Sequence, residues 1–169
     1  ATSTNMCATG KSPPTMYPFG RSWILTSTPT SMLTGGCSCG AVRYEISTHE
    51  INAGICHCAD CQRHSGAPFV VWLGVDPKAF SITQGKVKEF GSSPWATRGF
   101  CAECGSTLTY RVNDNAGEID IAGGTLDDPS AAAPRYQIFK KDSPRFMRGF
   151  DEALPEKDVE AYFNGLRDR

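Results

Sequence analysis

The chain has 169 residues, enough for one domain with a core and too few for two of ordinary size. Its 17 Lys and Arg against 18 Asp and Glu leave a formal charge of −1, which argues against nucleic acid as a partner and against charge-driven disorder. No apolar run approaches the length of a bilayer, so no membrane partner is expected.

Val, Leu, Ile and Phe together make up only 31 of the 169 residues, a sparse supply for a self-sufficient core. Small or thin cores are ordinarily reinforced by a covalent or metal staple. Eight cysteines are the available material.

In chain order, residues 1–34 contain no Asp or Glu, and Ser, Thr and Pro fill 17 of the positions. Such a segment buries little, and its apolar patch Trp23-Ile24-Leu25 is too short to nucleate a domain. It reads as an N-terminal extension to a domain spanning 35–169. A transit peptide shares the composition but would carry more base than Lys11 and Arg21; an arm lying on the domain is the other reading. Cys7, isolated in this stretch, reads as a bystander thiol.

From Gly35 the text turns to short β-like runs separated by Gly, Pro, Asn and Asp. Val42, Tyr44 and Ile46 alternate with polar neighbours, and Phe69-Val70-Val71-Trp72-Leu73 is a continuous run of the buried-strand kind. Further strands are expected over 80–83, 87–90, 95–100, 107–112 and 118–122, with a loop over 127–134. One helical turn or two is expected around Ala59–His64. A second helix is expected over Glu156–Leu166, where Val159, Tyr162, Phe163 and Leu166 share a face. The fold class is therefore mainly β: antiparallel sheets stapled by metal, with one or two short helices.

Seven cysteines fall into three clusters: Cys37-Ser38-Cys39, Cys56-His57-Cys58-Ala59-Asp60-Cys61 and Cys101-Ala102-Glu103-Cys104. A one-residue gap on an extended strand does not suit disulfide geometry. It does suit metal binding, because residues two apart on a strand point to one face and can reach one ion. Cys101 and Cys104 followed by Gly105 form a zinc-knuckle pattern. Pairing the two-cysteine clusters gives four thiolates, Cys37, Cys39, Cys101 and Cys104, the ligand set of a closed structural zinc site.

The middle cluster supplies Cys56, Cys58 and Cys61 and no obvious fourth ligand. Zinc held by three protein ligands keeps a position for water or substrate, the mark of a catalytic site. His57 or His64 could instead close the site, and an iron–sulfur cluster is a further alternative that a colourless protein would remove. Three thiolates weaken the ion as a Lewis acid, so a soft fourth ligand such as a substrate thiol is the natural match. A thiolate held there could add to a small electrophilic carbonyl and give a hemithioacetal.

The blocks Gly35-Gly36-Cys37-Ser38-Cys39-Gly40-Ala41-Val42-Arg43-Tyr44-Glu45, Cys56 through Phe69, and Arg98 through Leu108 resemble the glutathione-dependent formaldehyde-activating enzyme family, also called the centromere protein V-like domain. The likeness covers roughly residues 33–140. It implies a mostly β, Mss4-like fold with two zinc ions per chain. By the same resemblance Cys37, Cys39, Cys101 and Cys104 form the structural site, and Cys56, Cys58 and Cys61 the functional one. The implied activity is a carbon–sulfur lyase that joins glutathione and formaldehyde reversibly as S-(hydroxymethyl)glutathione. A non-catalytic zinc module that binds a protein partner is the alternative the same likeness permits.

Gln62, Arg63 and Ser65 match the family motif. Gln62, Arg63 and Arg98 are candidate substrate contacts, since a guanidinium suits the carboxylates of a glutathione-like thiol. Support of the cysteine sulfurs is their other reading. Two departures stand out: Gln137 where the family has His, and Phe146 where a Trp is common. Seven ligand thiols are best kept reduced, which points to the cytoplasm.

Overall fold

A computed structural model of the chain describes residues 32–147 apart from 49, 115 and 116. The helix expected over 156–166 and the isolated Cys7 lie outside the described residues, as does nearly all of the expected extension. The described part is mainly β, with two sheets and one α-helix. None of its helices is long and apolar enough to cross a membrane.

The smaller sheet contains β1 (Leu33–Gly36), β2 (Arg43–Ile46) and β5 (Phe80–Gln84) in the order β1-β2-β5, all antiparallel. The larger has seven strands: β3 (Asn52–Cys56), β4 (Val70–Val75), β6 (Val87–Ser93), β7 (Ala96–Cys101), β8 (Thr107–Val112), β9 (Ile119–Ala122) and β10 (Tyr136–Ile138). Their order is β10-β3-β4-β9-β8-β7-β6. Helix α1 (Ala59–Ser65) follows β3, close to where the sequence places it. Residues 127–134 form no strand, only a 3₁₀ turn over Pro129–Ala131 that the Asp128 side chain caps.

Three strands escape the sequence reading. β1 is glycine-rich and β3 reads Asn-Ala-Gly-Ile-Cys, so neither shows apolar alternation. β10 has three residues and pairs with β3 in parallel, the one departure from the expected antiparallel pairing. Its place depends on Gly54, because a Cβ there would lie 2.4 Å from the Tyr136 ring. The ring covers the backbone that a side chain would otherwise occupy.

Period-two alternation gives the larger sheet two working faces. Leu73 and Val75 of β4 join Ala53, Leu108 and Ile121 and, from the smaller sheet, Tyr44 and Ile46 in the main core cluster. Val70 and Trp72 point the other way and pack with Cys56, Cys61 and Ala122. At the edge of the core Arg43 bonds Asp127 through both guanidinium nitrogens. With the Thr34 hydroxyl it holds that carboxyl down at about 2.

Register places Asn52, Gly74, Asp120, Tyr110, Arg98 and Phe90 opposite one another in a row across five β-ladders. Paired residues share a face, so this row runs along the face that carries Trp72. Burial, with the Glu118 carboxylate beside it, pushes the Asp120 carboxyl up to about 7, while Arg98 pulls it back. A carboxyl raised in the folded state carries no penalty below its unfolded value of about 4. The penalty grows from there up to the folded value and is constant above it. Asp120→Asn is therefore expected to be more stable than the parent at about pH 8 and to lose more than half of that advantage by about pH 5. Urea unfolding of both metal-loaded proteins at the two pH values checks this.

Candidate metal centres

The first cysteine pair lies on a turn between β1 and β2 rather than on a strand, which corrects the geometry expected from its spacing. The turn closes through Cys37 N–H to the Val42 carbonyl (3.0 Å) and Gly40 N–H to the Cys37 carbonyl (3.0 Å). A similar turn follows β7, with Cys101 N–H to the Ser106 carbonyl (3.0 Å) and Gly105 N–H to the Cys101 carbonyl (2.9 Å). Gly40 and Gly105 have φ of 77° and 75°, the left-handed conformation that each tight turn needs and that side chains disfavour. The two turns are tied directly by Ser38 N–H to Ser106 Oγ at 3.1 Å.

The Sγ atoms of Cys37, Cys39, Cys101 and Cys104 all lie within 4.8 Å of one another. Two of the separations are 3.5 Å (Cys37 to Cys39) and 3.9 Å (Cys39 to Cys101). These are far too long for a disulfide, whose S–S bond is about 2.05 Å. They bracket the edge of about 3.8 Å that a sulfur tetrahedron has when metal–sulfur bonds are about 2.3 Å. Val42 N–H points at Cys37 Sγ (3.2 Å), and Cys104 Sγ meets Ser106 Oγ at 3.2 Å. The Ser106 hydroxyl, with backbone N–H groups, holds the Cys104 thiol down at about 6. The donor set fits a tetrahedral thiophilic dication such as zinc.

Cys56, Cys58 and Cys61 also place their sulfurs within 4.8 Å of one another. β3 delivers Cys56 and α1 delivers Cys61, both buried, while Cys58 sits between them as the N-cap of the helix. Its sulfur accepts from Cys61 N–H at 3.4 Å. The neighbouring sulfurs of Cys58 and Cys61, and burial, push the Cys56 thiol up. Three sulfurs this close cannot all ionise unless a cation joins them, so this donor set also fits a metal.

Neither His57 nor His64 contributes a ligand atom to that group. His57 is buried and its Nε2 meets Gln137 Oε1 at 2.9 Å, while its backbone N–H bonds the Ile138 carbonyl. Gln137, the departure from the family pattern, thus sits on β10 as the partner of His57. Phe146 is 63% exposed.

The three polar candidates fall in different places. The Gln62 amide donates to the His57 carbonyl (2.6 Å) and to the Asp142 carbonyl (3.0 Å), tying α1 to the chain that follows β10. Arg63 is exposed, 3.9 Å from Asp60 one turn back on α1. Arg98 is buried, and one of its guanidinium nitrogens lies 3.5 Å from Cys61 Sγ. Trp72 Nε1 donates to the same sulfur at 3.4 Å. Trp72 escaped the site reading because its run reads only as a strand; nothing local marks one of its residues as facing a cysteine eleven positions away.

Past the C-terminal end of α1 runs a cleft of about 440 Å³, walled by His64, Phe69, Val71, Cys104, Ser106 and Gly124. A smaller one of about 180 Å³, walled by Phe90, Arg98 and Phe100, shares His64, Gly105 and Thr107 with it. Cys104 of the four-sulfur group lines the larger cleft, whereas Cys56, Cys58 and Cys61 line neither; the smaller cleft meets their group through Arg98, which touches Cys61.

Because Cys101 is wholly buried within the main core cluster, a metal bound at its site would add to the folding free energy, by an amount of order 10 kcal/mol in closed thiolate sites. Cys101→Ala is expected to cost several kcal/mol more than Cys61→Ala in unfolding measured with zinc present; equal losses would remove the distinction between the centres. Gln62→Ala is expected to cost about 1 kcal/mol. It should also speed hydrogen exchange at the Asp142 and Ser143 amides.

The family model described as glutathione-dependent formaldehyde-activating enzyme matches residues 32–142. An uncharacterized lyase of Schizosaccharomyces pombe is 30% identical over 76 residues, 45% of this chain and 55% of that protein, so the match spans about half the length of that relative. The crystal structure of a Rhodobacter sphaeroides protein aligns with a TM-score of 0.47 at 21% identity, covering 62% of this chain and 98% of that one. With the family model covering well over half of its residues, the chain belongs to the glutathione-dependent formaldehyde-activating enzyme family.

Proposed function

We propose that this chain is a zinc-dependent carbon–sulfur lyase that adds the thiol of glutathione reversibly to formaldehyde or a related small electrophile. The observation that carries this reading is the three-sulfur group of Cys56, Cys58 and Cys61, which no fourth Cys, His, Asp or Glu completes among the described residues. Zinc bound there would leave a position for the substrate thiol and would lower its pKa. The four-sulfur group of Cys37, Cys39, Cys101 and Cys104 is the structural zinc site of the same proposal.

In the forward direction the thiol sulfur bonds to the aldehyde carbon and the thiol proton ends on the aldehyde oxygen, so no oxidant or further reactant is needed. The chain's own residues shape the site in which this occurs. Gln62, with both amide bonds engaged, fixes α1 against residues 139–142. Gln137 holds His57, which stacks obliquely near Phe69 at a centroid distance of 5.8 Å. Arg63, whose side chain is 67% exposed, is free to swing toward a substrate carboxylate. Seven thiolate ligands suit a reducing compartment, and the cytoplasm is the proposed location.

Cys58→Ser is the informative variant, because serine is itself a good N-cap and leaves α1 capped while removing a soft ligand. It is expected to remain folded and to lose about 100-fold or more in glutathione-dependent formaldehyde consumption. A metal-loaded parent protein without such consumption would defeat the substrate assignment and favour a partner-binding module instead. Arg63→Ala is expected to raise the KM for glutathione about threefold to tenfold with kcat nearly unchanged, the pattern of lost uniform binding.

A further inference from the structure

Arg98 is only 4% exposed, and its guanidinium touches Cys61 Sγ through one nitrogen at 3.5 Å. Its Nε and its other terminal nitrogen are buried with no hydrogen-bond partner. No ion pair among the described residues involves it. Its guanidinium carbon lies 4.8 Å from the Tyr110 ring centre and 5.9 Å from that of Trp72, so aromatic faces hold it against the sulfur. Asp120 shares its row in the sheet and feels the Arg98 charge, but burial pushes that carboxyl up to about 7 and the two form no ion pair among the described residues.

A buried cation is costly unless a charge answers it. Three thiolates around a dication leave a net charge of −1, and an incoming thiolate makes it −2. We infer that Arg98 is the resident counter-charge of the Cys56, Cys58 and Cys61 centre: a positioning residue whose guanidinium, seated on Cys61, lets the centre hold a dication and then accept an anionic sulfur. The inference rests on reading these cysteines as a metal centre. It gives Arg98 an electrostatic task that needs no direct contact with substrate.

Cobalt(II) serves as the probe, because its thiolate absorption reports each centre. The full chain and the variants Arg98→Met, Arg98→Gln and Arg98→Lys are compared by chelator competition. Both neutral variants are expected to bind cobalt at the three-cysteine centre about tenfold or more weakly, and Arg98→Lys within about threefold of the parent. The four-cysteine centre should be unchanged in all of them.

Neutral variants that bind as tightly as the parent would overturn the inference, as would a lysine variant that falls as far as they do. Loss of the four-cysteine centre in both neutral variants would make Arg98 a general structural cation and overturn it too. In a second arm, glutathione and imidazole are titrated into the cobalt protein. Arg98→Met should weaken the anionic sulfur ligand about tenfold and neutral imidazole no more than about threefold; equal losses would count against the charge argument. A parent protein that binds cobalt but not glutathione would defeat the proposed substrate, while the first arm would still decide the role of Arg98.

Discussion

The meeting of four sulfurs from two turns, with Cys39 and Cys101 62 residues apart, is the constraint around which the fold is arranged. Cys37 and Cys101 are not appended to the domain surface; both are members of the main core cluster, beside Val42, Leu108 and Ile121. The chain between the turns includes β2 through β7, so one ion held there would tie the smaller sheet to the larger. Closing a loop of that length is where a cross-link removes most unfolded-state freedom in principle. A staple of that kind would suit a chain with so few large aliphatic residues.

The second group of cysteines uses the other face of the same sheet. On β4, alternate residues serve opposite purposes: Leu73 and Val75 fill the core, while Trp72 turns its indole N–H toward Cys61. The floor of the centre is therefore the reverse face of a core strand, and the short elements α1 and β10 complete its surroundings. His57, just before α1, is tied to β10 by Gln137, and Gln62 ties α1 to Asp142 in the chain after β10, side-chain bonds that each span 80 residues of chain. Precision at a metal site depends on such supporting bonds as much as on the ligands.

Arg98 and Asp120 show how the polar row across the sheet differs from ordinary surface charge. Each is an ionisable group on a strand whose neighbours are aromatic or glycine, where water screens little. Gly74 admits the Glu118 carboxylate to this face, since a Cβ there would lie 2.9 Å from it. The row concentrates charge beside a centre whose own charge changes when it binds a metal or a thiolate.

The sequence by itself determined the grouping of the cysteines and most of the strands. Cysteine spacing and apolar runs are local quantities, and strands such as Thr107–Val112 announce themselves through residues that must be buried together. The same spacing separated a four-sulfur group from a three-sulfur group, and within each group the sulfurs lie within 4.8 Å of one another. What it did not determine were β1, β3 and β10, whose residues are small or few and which exist because neighbouring strands supply their hydrogen bonds. Nor did it determine that Arg98 is buried on Cys61, that Gln137 serves His57, or that Cys37 and Cys39 share a turn instead of a strand face. Those relations follow from pairing register and from close approach of segments distant in the chain, and no local pattern encodes either until the sheet has closed.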